Sequence, residues 1–147
     1  MTDLWRFASA CYAQPGIEAL CLEQQARGAD VCILLCGAWL ERRGVGFDSA
    51  RMEELIDLAD DWQQRVIRPL RQHRQAWKEP AQADAELALL RERLKSLELE
   101  AERVLLARLE RLTRPWPSGK GESAWLDRLV AEPQALARLR SAARAVG

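Results

Sequence analysis

Apolar residues recur at steps of three and four along most of the chain, the spacing that places them on one face of a helix. Leu4, Phe7, Ala8 and Cys11 form the first such face, with Trp5 and Tyr12 beside it, and predict a helix capped by Thr2 and running to about Gln14. Pro15-Gly16 turns the chain. Ile17, Leu20 and Cys21 carry a second helix to Arg27, which Gly28 closes. Residues 31–40, Val-Cys-Ile-Leu-Leu-Cys-Gly-Ala-Trp-Leu, then contain no charge and no amide. A helix apolar on every face must be enclosed. Spanning a bilayer takes roughly 20 apolar residues, and this run is closed by Asp30 at one end and Glu41-Arg42-Arg43 at the other. It reads as the central helix of a soluble bundle, with Asp30 as its N-cap. Gly37 marks a close helix crossing, since glycine inside a helix costs about 1 kcal/mol against alanine.

After the loop Gly44-Val45-Gly46-Phe47, Asp48 caps a helix whose apolar line is Met52, Leu55, Ala59, Trp62, Val66, Leu70, His73 and Trp77. Pro69 should kink it, because proline cannot donate to the carbonyl of Arg65. Acids (Asp48, Glu53, Glu54, Asp57, Asp60, Asp61) precede bases (Arg65, Arg68, Arg71, Arg74, Lys78), as the helix dipole favours. Glu79-Pro80 breaks the chain before the longest helix, about Gln82 to Leu112. Its seam is Leu87, Leu90, Leu94, Leu97, Ala101 and Val104, continued out of phase by Leu105, Leu109 and Leu112. Leu89, Leu99 and Leu106 fall outside that seam. Residues 113–122 form a Pro/Gly linker, and residues 123–147 a C-terminal helical appendage in which Ser123 and Pro133 open short helices. The expected architecture is therefore all-α: about five main helices in a core spanning residues 1–112, around a buried central helix.

Composition narrows the function classes. Basic and acidic side chains number 22 each, so the positive excess of a nucleic-acid coat is absent and a nucleic-acid partner is disfavoured. Apolar content of 48% and charged content of 30% are those of an ordinary globular chain. The N-terminus shows no basic stretch leading into an apolar run, and a cytoplasmic location with no membrane contact is the expectation. Cys11, Cys21, Cys32 and Cys36 include no C-x-x-C pair, so they read as core residues rather than metal ligands, and neither metal nor cofactor is expected.

Three constellations resemble chemistry without completing it. Asp57, Asp60 and Asp61 suggest a diphosphate-metal cluster but lack the second acidic set across a cavity; Asp61 instead suits an i+4 pair with Arg65. The basic run from Arg65 to Lys78, flanked by Trp62 and Trp77, reads as a solvated helix end before it reads as a phosphate and base platform. Ser118-Gly119-Lys120-Gly121 is not a phosphate loop. No catalytic residue is assigned.

Trp5-Arg6-Phe7, Tyr12, Pro15-Gly16-Ile17, Cys21-Leu22, Gly28-Ala29-Asp30-Val31 and Leu34-Leu35 through Trp39-Leu40 together resemble an uncharacterised family of short, helical proteobacterial proteins. The likeness spans about residues 4 to 112 and is densest before Phe47. In that family asparagine is favoured after Asp-Val, where this chain has Cys32. The resemblance implies a bacterial cytoplasmic protein and carries no activity.

Two functions follow from the residues. The leading expectation is a non-enzymatic interaction or regulatory module that offers the long helix, through Leu89, Leu99 and Leu106, to a protein partner or to a second copy of itself. The alternative is a small-ligand protein or enzyme with a pocket at Asp30, lined by Trp5, Tyr12, Trp39 and His73.

Overall fold

A computed structural model describes residues 3–119 and 123–146. Among the described residues seven α-helices follow one another: α1 Leu4–Tyr12, α2 Ile17–Ala26, α3 Val31–Arg42, α4 Ser49–Trp62, α5 Arg68–Ala76, α6 Ala85–Thr113 and α7 Pro133–Ala145. A π turn, Gln63–Ile67, joins α4 to α5, and 3-10 turns occupy Pro80–Ala83 and Leu126–Arg128. Among the described residues there is no strand, only a lone antiparallel bridge between Val45 and Ser118. The fold is all-α, as the periodicity requires.

Every residue of α3 from Cys32 to Leu40 is buried. Helices α1, α2, α4, α6 and α7 all pack against it. Asp30 caps it: one carboxylate oxygen accepts from the backbone N–H of Cys32 at 2.9 Å and Ile33 at 3.4 Å. Gly37 is the close crossing the sequence implied, since a Cβ there would lie 2.9 Å from a methyl of Leu129 and 3.6 Å from Trp125.

The charged residues that end the apolar run fasten the rest of the chain to it. Glu41 accepts from the Leu126 N–H at 2.8 Å and pairs with Arg140 at 2.8 and 2.9 Å. Arg42 donates to the Val146 carbonyl at 3.1 Å. Arg43 donates to the carbonyls of Thr113 at 3.2 Å and Trp116 at 2.9 Å, closing the C-terminus of α6. A guanidinium is well suited to this because its five donors form a rigid fork.

The C-terminal stretch consequently folds back on the bundle and forms a wall of the core. Trp125, Leu126 and Leu139 are fully buried. Trp125 stacks on Trp116 at 5.8 Å, meets Phe47 edge-on at 5.1 Å, and donates to the Val45 carbonyl at 2.8 Å. Ser123 also donates to that carbonyl, at 2.9 Å, and caps no helix. The stretch expected as a linker contains buried Trp116 and is pinned by Arg43; Lys120, Gly121 and Glu122 lie outside the described residues. At the N-terminus Asp3 caps α1 through the Arg6 N–H at 2.8 Å, while Thr2 lies outside the described residues.

The disturbance expected at Pro69 takes the form of the π turn. Proline has no N–H for the Arg65 carbonyl, and the wider turn just before it, closed from the Arg68 N–H to Gln63, adds a residue to the helical path. Met52, Leu55 and Ala59 point inward as the spacing predicted, but Gln63 and Ile67 are the buried positions beyond them. His73, expected on the core line, is exposed and tilts against Trp77 at 5.8 Å. Beyond the turn, α5 and the first half of α6 form a hairpin: no residue of α5 is fully buried, and the buried residues of α6 start at Glu98.

Candidate ligand-binding cavity

The hairpin leaves the bundle beside the N-terminus of α3, and a partly open cavity of about 730 Å³ lies at the junction. Helix α1 contributes Trp5, Ala8, Ser9 and Tyr12 at successive turns of one face. The α2–α3 corner supplies Gly28, Ala29 and Asp30, and α3 adds Val31, Cys32 and Leu35. Gln63 comes from the π turn, Arg68 and Arg71 from α5, and Leu99, Glu102 and Leu106 from α6. Single-turn π insertions are concentrated at functional sites, and this one presents Gln63 to the wall just before Arg68 and Arg71 of α5.

Asp30 is the polar centre of the wall. One oxygen serves as the helix cap, while the other, Oδ2, is shielded from solvent and has no hydrogen-bond partner among the described residues. Such an atom is costly to leave unpaired, by about 1–3 kcal/mol. Burial pushes the Asp30 carboxyl above its ordinary range; the N–H groups of Ile33 and Cys32 and the Gln63 side chain act in the opposite sense, and Asp60 adds to the rise. Glu102 is also pushed up, first by burial and then by neighbouring Glu98, against the pull of Arg71 and Arg74. Burial likewise raises the Tyr12 phenol.

The two arginines of the wall differ. Arg71 lies between Glu98 at 3.2 Å and Glu102 at 3.5 Å. Arg68 is exposed and forms no ion pair among the described residues. Much of the basic cluster is thus neutralised by acids of α6, with Arg74 also on Glu98 at 2.5 Å. Asp61 meets Arg65 at 2.7 Å, the i+4 pair expected from the sequence.

Of the residues proposed for a ligand from the sequence, Trp5, Tyr12 and Asp30 come together in the cavity. Trp39 and His73 do not. Trp39 is 5% exposed and covered by the Arg43 guanidinium 4.7 Å from its ring, because α3 turns that face toward the end of α6. The leucines proposed for a partner also separate. Leu106 is buried, Leu99 is 53% exposed at the cavity rim, and Leu89 is 67% exposed on the hairpin. Gln63, Arg68, Arg71 and Glu102 are wall residues the periodicity did not pick out; the signals near them were Pro69 and the basic run that contains Arg68 and Arg71.

Burial also explains the cysteines. All four are free and buried, with the thiols of Cys11 and Cys21 pushed up to about 11 and that of Cys36 to about 12. Cys32, at the cavity wall, is held well above its ordinary value by the same cause. Among the described residues no three His, Cys, Asp or Glu side chains converge. The wall therefore offers apolar and aromatic surface together with carboxyl, amide and guanidinium groups, an assortment that can hold a molecule and orient it.

A family described as "Protein of unknown function (DUF2390)" matches residues 3–109, and the chain belongs to that family. All the cavity residues named above lie inside the matched stretch, whereas α7 and Trp125 lie outside it. No curated protein and no solved structure matches the chain. Among the described residues no helix is long and apolar enough to cross a membrane.

Proposed function

We propose that the chain is a small-ligand-binding protein whose ligand occupies the cavity between α1, the start of α3, the π turn and α6. The observation that carries this reading is a cavity of about 730 Å³ whose wall combines Asp30, Gln63 and Glu102 with Trp5, Tyr12, Leu99 and Leu106. That volume lies within the range of roughly 300–1,000 Å³ usual for small-molecule sites. The ligand this wall suits has an apolar or aromatic body against Trp5, Tyr12, Leu99 and Leu106, and a hydrogen-bonding group directed at Asp30 and Gln63. The place of action is the bacterial cytoplasm, in keeping with four unpaired buried thiols.

The test is a metabolite and fragment screen read by thermal shift and by tryptophan fluorescence, to which Trp5 contributes. Hits should lose binding in Ser9→Trp, which places a large ring at the exposed mouth, and weaken in Asp30→Asn and Asp30→Ala. A hit indifferent to both positions, or no hit from an extract of the native cell, would remove the reading. A second reading, a protein-interaction surface on α6, is supported by the exposure of Leu89, Leu90, Leu97 and Leu99, from 49% to 67%.

A further inference from the structure

On the flank of α6 away from the cavity, Leu90, Leu97 and Val104 are 51%, 49% and 38% exposed. They are seven residues apart, so they fall on one nearly straight line along the helix. Leu99, two positions from Leu97, points about 200° away, which places the cavity on the opposite side. Four charged residues alternate with the apolar ones: Glu86, Leu90, Arg93, Leu97, Glu100, Val104, Arg108. Among the described residues none of these four charges is in an ion pair, although Arg71, Arg74 and Lys95 around them are. Arg108 lies over the Trp62 ring at 4.1 Å, and the Trp62 N–H donates to the Ala101 carbonyl, so the end of the line at Val104 is held on a fixed part of the bundle.

This order reads with opposite charge when reversed. A second α6 laid antiparallel, with the twofold axis at Leu97, sets Leu97 on Leu97, Leu90 on Val104, Arg93 beside Glu100 and Glu86 beside Arg108, each pairing made twice. A parallel copy in register would instead place each charge against its like, which costs several kcal/mol. We propose that the chain pairs with a second copy of itself through this face of α6, antiparallel about Leu97. The shared stretch, 86 to 108, is about 33 Å long. Three apolar layers are fewer than a permanent dimer uses, so the pair is reversible and forms with rising concentration. Because the cavity faces the other way, both copies keep it open, and the proposal stands apart from the ligand reading.

Sedimentation velocity of the full chain, from micromolar to near-millimolar concentration, reads the pairing. The wild type should move from monomer to dimer mass. Leu97→Asp should weaken the dimer by about tenfold or more. Arg93→Glu and Glu100→Arg should each weaken it, and an equimolar mixture of those two variants should recover it, because each then meets its opposite. All three positions are exposed, and thermal unfolding at low concentration checks that the fold is intact. A chain monomeric throughout overturns the proposal, as does a dimer indifferent to Leu97→Asp. A dimer that Leu97→Asp splits, but whose charge variants neither weaken alone nor recover together, overturns the antiparallel arrangement.

Discussion

Around α3 the helices meet through side chains that exclude water on every side, whereas the α5–α6 hairpin is joined along one edge and is wet on the others. The base contains Leu4, Leu34, Leu40, Trp125 and Leu139, all at 1% exposure or less. The hairpin has half-buried Leu70, Trp77, Leu87 and Leu94, and its central contact is ionic: Glu98 receives Arg71 and Arg74. Burial of apolar area stabilises in proportion to that area and is little affected by salt or pH. Ion pairs with partial exposure contribute less and depend on both partners being present. Helix content alone therefore says little about where stability resides, and the cavity lies where the two regimes meet.

That contrast can be broken at several points. Trp125→Ala should cost about 3–5 kcal/mol, measured by denaturant unfolding, because it empties a fully buried site and leaves the Val45 carbonyl without its indole partner. A cost near zero would detach residues 123–146 from the core. Glu98→Ala should cost about 2–3 kcal/mol, since two arginines with side chains 18% and 26% exposed lose a shared counter-charge. The loss should appear first as faster amide exchange in α5, ahead of α3. At the tip, Leu90→Ala should change monomer stability by no more than about 0.5 kcal/mol, because that side chain is half exposed.

Asp30 gives a smaller effect that pH reveals. Its folded carboxyl is raised by burial above the unfolded value, so the folded chain holds the proton more tightly. Stability contributed by this group is then present at low pH and falls as pH rises from the unfolded to the folded value. Asp30→Asn keeps a capping side chain and removes the titration. Unfolding at a series of pH values should show the wild type gaining on the variant as pH drops through the carboxylate range. The opposite slope would mean that Asp30 is stabilised as an anion.

The all-α fold, the enclosed run at 31–40, the caps at Asp30 and Asp48, and the crossing at Gly37 were legible in the sequence. Each depends on neighbours within a turn or two, where spacing and backbone donors dictate the outcome. That Trp5, Tyr12 and Asp30 share one cavity wall was legible for the same reason: they stand at edges of faces the periodicity defines. Trp39 and His73 do not line the cavity: Trp39 stands on a face of α3 turned toward the end of α6, and His73 is exposed on α5 between half-buried Leu70 and Trp77.

What the sequence determined by itself is which segments are helical and which residues within them avoid water, because period and capping are local properties. Only the tertiary structure decided that Glu41, Arg42 and Arg43 bind the C-terminal stretch into the core. It alone brought Gln63, Arg68 and Glu102 across to Asp30, and left one line of α6 half exposed. Those outcomes join residues dozens of positions apart, and the geometry that joins them exists only once the helices have packed.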